Sequence, residues 1–138
     1  MKRKYKNLIL SVESRLATEL KKHRAGVGKR YIFSDNKNNP KGNIYAILRK
    51  VSNVKNPPKH IQKHKHNCDS LWMFVGDKEN LTGLKVEIVL GDEIYQINTP
   101  FSVYIPKNLE HTYNFIEGSG SYINILIAKG GNYNSSTN

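Results

Sequence analysis

From Arg30 onward the chain is a succession of short runs rich in Ile, Val, Tyr and Phe, each closed by Asn, Gly, Pro or Asp. The runs are Arg30 to Phe33, Asn43 to Val51, His60 to His66, Leu71 to Val75, Leu84 to Leu90, Glu93 to Ile97, Phe101 to Ile105, Thr112 to Ile116 and Tyr122 to Ala128. Branched and aromatic side chains suit a pleated, half-buried surface, and such runs at intervals of about ten residues predict an antiparallel sandwich or barrel. The breaks at Asn36 to Gly42, Asn56-Pro57-Pro58, Gly91-Asp92 and Gly118-Ser119-Gly120 have turn chemistry, because Gly and Asn tolerate positive φ and Pro fixes φ.

The first part of the chain has a different texture. Tyr5, Leu8, Ile9, Val12, Leu16 and Leu20 recur at three- and four-residue spacings, which predicts one amphipathic α-helix over residues 5 to 22. His23 then falls at the helix end, where the helix dipole favours a cation. The expected fold class is therefore all-β, a small antiparallel β-barrel preceded by one N-terminal amphipathic helix. Residues 1–28 form the helix and linker, residues 29–129 the barrel domain, and residues 130–138, small and polar, a disordered tail. A chain of 138 residues has the size of one domain.

The balance of 22 Lys+Arg against 11 Asp+Glu gives a formal charge of +11. That charge suits a polyanion, yet the basic residues are spread along the chain and no aromatic RNA-binding signature accompanies them, so nucleic acid is not the expected partner. A single cysteine, Cys68, excludes an internal disulfide. Leu8-Ile9-Leu10 is too short for a signal-peptide core or a membrane span, and a cytoplasmic protein with no membrane association is expected. Symmetric dimers dominate soluble oligomers and the apolar stripe offers a surface to bury, so the expected assembly is a homodimer.

In the run KHIQKHKHNCD, His64 and His66 are two residues apart, and on a strand both imidazoles project from one face. The pair fits a metal ion, and equally a surface strand whose alternating Lys and His face water. Downstream, Tyr104 to Ile105, Pro106 and Asn108 lead to His111, a strand and a Pro-containing turn that return a third imidazole to the same face.

With these residues the sequence resembles the cupin family, over about residues 43 to 128. His64, His66, the acidic Asp69 and Gly76 match its first motif; Pro106, Asn108 and His111 match its second. Pro58 and Pro100 replace the leading glycine of each motif, Asn108 stands for a turn glycine, and the closing Asn is displaced to Asn114. Asp69 follows His66 after two residues, fewer than the pattern has; it either completes the ligand set or caps the turn through the backbone. The resemblance implies one divalent transition metal ion, Fe, Ni, Mn or Zn, held by His64, His66, His111 and Asp69, with open positions for a small-molecule substrate.

Tyr113, two residues from His111, is the candidate catalytic acid, with core packing as its alternative; Trp72, Phe74 and Phe115 form an aromatic wall. Cys68 beside the ligands is a turn residue or a reactive thiol, and His60 belongs to the barrel rim. The resemblance implies a metal-dependent protein that binds and transforms a small polar metabolite by isomerase, epimerase or dioxygenase chemistry. A non-catalytic binding module and a metal-free His/Tyr epimerase are the alternatives.

Overall fold

The computed structural model describes residues 3–138. Its strands are β1 (Glu13–Ser14), β2 (Lys29–Ser34), β3 (Tyr45–Lys55), β4 (Ser70–Gly76), β5 (Leu84–Leu90), β6 (Glu93–Asn98), β7 (Phe101–Ile105) and β8 (His111–Leu126). Every pairing is antiparallel, in the order β1-β2-β3-β8-β4-β7, with β5 joined to β8 and β6 to β5.

β8 organises the sheet. Its first half pairs with β5, from His111 opposite Leu90 to Gly118 opposite Leu84; its second half runs between β3 and β4. Gly118-Ser119-Gly120, expected as a turn, is instead the place where one continuous strand crosses from the first set of partners to the second. Gly118 has a φ of +113°, and a Cβ there would lie 2.0 Å from the Gly83 carbonyl oxygen. Only glycine allows that approach, so the turn chemistry of the sequence is used for a bend within a strand.

The two halves of β8 close one core, in which Val86 and Ile88 of β5 meet Trp72 and Phe74 of β4, Ile47 and Val51 of β3, and Phe115 of β8. Inward positions are not uniformly apolar. Arg30, Arg49 and Asn124 are buried among Tyr45, Tyr113 and Tyr122. Outward positions reverse the usual pattern too, with Phe33, Ile44, Leu71, Tyr104 and Ile127 exposed.

The N-terminal α-helix does not form. Residues 5 to 22 hold two 3₁₀ turns, Lys6–Leu8 and Ala17–Glu19, and the short strand β1. The physical reason lies in what the segment finds to bind. Glu13 and Ser14 pair with the edge of β2, Arg15 salt-bridges Asp35, and Glu19 accepts from Arg30 at 2.9 Å. Most of the apolar stripe gains no such partner: Leu8, Ile9 and Leu16 stay exposed, Leu16 by 69 %, and Leu20 alone of the stripe packs on the core. A short helix without a face to pack is marginal in water, so edge pairing and the buried charges prevail. Among the described residues no helix is long and apolar enough to cross a membrane.

The tail is the second correction. Residues 130–138, expected to be disordered, are folded against the sheet, with Tyr133, Ser136 and Thr137 buried. Asn67 N–H donates to the Ser136 carbonyl at 2.9 Å and Asn138 N–H to that of Lys65 at 2.8 Å. The tail thus lies beside the segment that carries His64 and His66. That segment, expected as a strand, has only isolated bridges: Ile61 with His23, His64 with His111 and His66 with Thr137.

Candidate metal centre

His64, His66 and His111 meet in one buried cluster, one nitrogen of each within 4.8 Å of the others. Backbone pairing sets this up. His64 and His111 exchange both hydrogen bonds, at 3.1 and 2.8 Å, so their side chains stand opposite one another. The Pro106 turn delivers His111: Leu109 N–H donates to the Pro106 carbonyl, Asn108 adopts a φ of +69°, and its N–H donates to the His66 carbonyl at 2.7 Å. An Asn at that left-handed position is the residue expected to tolerate it.

Each ring is oriented by an acceptor at Nδ1. His64 Nδ1 donates to the Gln62 carbonyl at 2.6 Å, His111 Nδ1 to that of Leu109 at 2.8 Å, and His66 Nδ1 to Thr137 Oγ1 at 3.0 Å. The Thr137 hydroxyl itself donates to the Tyr133 carbonyl at 2.6 Å, which leaves its lone pair for His66. With Nδ1–H committed on all three rings, Nε2 is the lone-pair atom of each.

Burial holds these rings neutral. It lowers the pKa of His66 to about 2 and of His111 to about 4, with the neighbouring histidines adding to the effect, and it lowers that of His64 as well. Neutral imidazoles are the form that ligates a metal. His111 Nε2 is buried with no hydrogen-bond partner among the described residues. His64 Nε2 accepts one hydrogen bond, from the Tyr133 hydroxyl at 2.9 Å. Three converging lone pairs with a single donor between them fit a cation, and neutral imidazoles are ligands suited to transition metal ions.

Asp69 is not brought into this cluster. It is exposed, and its Oδ1 accepts from Lys107 N–H at 2.9 Å while the Tyr104 hydroxyl also donates to the carboxylate, contacts that hold its pKa below the usual range. Asp69 therefore ties down the distant Pro106 turn that delivers His111, rather than capping its own turn. Tyr113 lies deeper in the barrel. Its hydroxyl faces His60 Nε2 at 3.4 Å, and the Trp72 ring packs on both Tyr113 and His111. The Cys68 thiol has its pKa raised, first by burial, and is a thiol rather than a reactive thiolate at neutral pH.

Tyr133 and Thr137 were missed because the composition of the tail reads as disorder; one aromatic residue in a polar tail was the available signal. His23 and His60 also belong to this region. With no helix to end, His23 sits with its ring 5.5 Å from that of His64, and burial lowers its pKa to about 3. His60 stacks on Phe115 and its pKa is lowered to about 4. Gly26 makes room for it, since a Cβ there would meet the His60 ring at 2.5 Å. A cleft of about 450 Å³ is lined by residues 22–24 and 59–62, with no acidic residue; none of the three clustered histidines lines it, and His23 is its link to His64.

No family model matches the chain, and no curated protein matches it in sequence. Solved structures do match in fold. The polyketide cyclase RemF from Streptomyces resistomycificus aligns with a TM-score of 0.58 at 12 % identity, over 91 % of this chain and 78 % of that one. A cupin-like protein from Thermotoga maritima aligns at 0.55 and 14 %, over 80 % and 77 %. Oxalate decarboxylase from Bacillus subtilis aligns at 0.56 and 11 %, over 91 % of this chain but 31 % of its own.

Proposed function

We propose, for a chain whose fold is that of the cupins, a metal-dependent enzyme that binds a small polar metabolite at His64, His66 and His111 and isomerises or oxygenates it. The observation that carries this reading is the convergence of three buried Nε2 lone pairs, each fixed by an acceptor at Nδ1. A divalent ion at such a site polarises a substrate oxygen and leaves coordination positions free. The protein residues do the remainder. Lys22, Arg24 and Lys59 around the cleft favour an anionic substrate, and the Tyr133 hydroxyl is the proton donor at the edge of the cluster. The Tyr113 hydroxyl faces His60 Nε2 at 3.4 Å, and burial raises the pKa of the phenol while lowering that of the imidazole, so the proton stays on Tyr113.

A second reading, binding without turnover, is favoured by the closure of the site, since His111 is fully buried and the tail lies over the ligand segment. Two measurements separate the outcomes. Protein purified without chelator should carry close to one metal equivalent, lost on His64→Ala, His66→Ala or His111→Ala. Loaded in turn with Fe(II), Mn(II), Ni(II) and Zn(II), it should turn over members of a panel of hydroxy and keto acids. Failure to bind any of these ions rejects the metal centre; binding without turnover selects the binding module.

A further inference from the structure

A cavity of about 210 Å³ lies away from the histidines, between the N-terminal segment, the 25–28 loop and strands β2 and β3. Its wall carries Arg15, Lys29, Arg30 and Arg49, with Ala17 and Ala25 among the small residues that leave it open, and no acidic residue lines it. Arg30 and Arg49 are 3 % and 2 % exposed, so two of the four cations are removed from solvent.

The surroundings neutralise two of these groups and leave Arg49 without a counter-charge. Arg15 pairs with Glu13, Glu19 and Asp35, and Arg30 with Glu19, but Arg49 has no carboxylate within 4 Å among the described residues. Its Nη1 instead donates to the Ala25 and Val27 carbonyls at 3.1 and 2.7 Å. A guanidinium buried without a carboxylate is costly, and Arg49 on the wall of this cavity, with the exposed Lys29 beside the same space, calls for an anion inside it. The acceptor has to be anionic, rich in oxygen and small. A tetrahedral phosphate meets all three conditions, and guanidinium groups recognise phosphate through paired N–H donors.

We propose that this cavity is an anion site for a phosphate group, free or carried by a small metabolite, distinct from the histidine cluster and independent of whether that cluster holds metal. The site uses the N-terminal segment that the sequence suggested as a helix: Arg15 and Ala17 reach the cavity because Glu13 and Ser14, just before them, pair with β2.

The test uses the full chain treated with chelator, titrated calorimetrically with inorganic phosphate against chloride at matched ionic strength. One phosphate should bind per chain and raise the melting temperature above that in chloride. Arg49→Met should weaken binding about tenfold or more. Ala25→Leu, at the exposed rim with every cation left in place, should weaken it comparably by filling the space, and it keeps the test decisive if Arg49→Met does not fold. Lys55→Met, the same charge change outside the cavity, should leave binding unchanged. Phenyl phosphate in place of inorganic phosphate distinguishes a phosphomonoester site, which binds it, from a site for the free ion, which excludes it. Equal behaviour in phosphate and chloride, or equal weakening by Lys55→Met and Arg49→Met, overturns the proposal.

Discussion

Acidification should unfold the metal-free protein unusually early, because its histidines are buried neutral. His60, His66 and His111 are each 4 % exposed or less, with pKa values of about 4, about 2 and about 4 in the folded chain. Unfolded, each returns to about 6.5. Between those limits the unfolded chain binds more protons than the folded one, so stability is complete above about pH 6.5 and falls as pH drops towards the folded values. Each histidine then costs about 1.4 kcal/mol per pH unit, or about 2 kcal/mol between pH 6.5 and 5. Three together cost about 6 kcal/mol, comparable with the whole stability of a domain, which is about 5 to 15 kcal/mol. Urea unfolding at a series of pH values measures this directly. Between pH 5 and 6 the slope should correspond to about three or more protons taken up on unfolding, His23 and His64 adding to the three, and His66→Gln should reduce it by about one. A slope below about one proton in the metal-free protein would refute the reasoning, since it would mean that the rings reach solvent without unfolding.

Two further outcomes follow from the surroundings of the cluster. Asp69→Asn should leave the metal stoichiometry at one while loosening the Pro106 turn and lowering the melting temperature slightly, whereas a loss of bound metal would restore Asp69 to the ligand set. Thr137→Val removes the acceptor that orients His66 and should weaken metal affinity about 10- to 100-fold in competition with a chelating dye; unchanged affinity would show that the tail plays no part in presenting the ligand.

The strands from Leu71 to Ile105 were legible because branched and aromatic runs alternate there with unambiguous turns. β8 was read as two strands, since glycine serves a turn and a crossing strand alike and only the Gly83 backbone pressed against Gly118 decides between them. The histidine triad was visible in the spacing of His64 and His66 and in the turn before His111. The helix failed for a different reason. Spacing of three and four describes which residues would share a face, not whether any surface exists to cover it, and the ties that hold Arg15 and Glu19 come from Asp35 and Arg30 far along the chain. The same holds for the tail, where a polar composition concealed backbone pairing with residues 65 to 67. Both errors lie where a segment borrows its order from a distant one.

That pairing has a practical side. Asn138 is bonded to Lys65, between two of the metal-binding histidines, so anything fused after it emerges beside the cluster. A polyhistidine tag placed there would bring competing imidazoles to the mouth of the site. Metal contents measured on such a fusion would describe the tag as much as the protein, and a cleavable tag at the other end is the arrangement under which the measurements above can be interpreted.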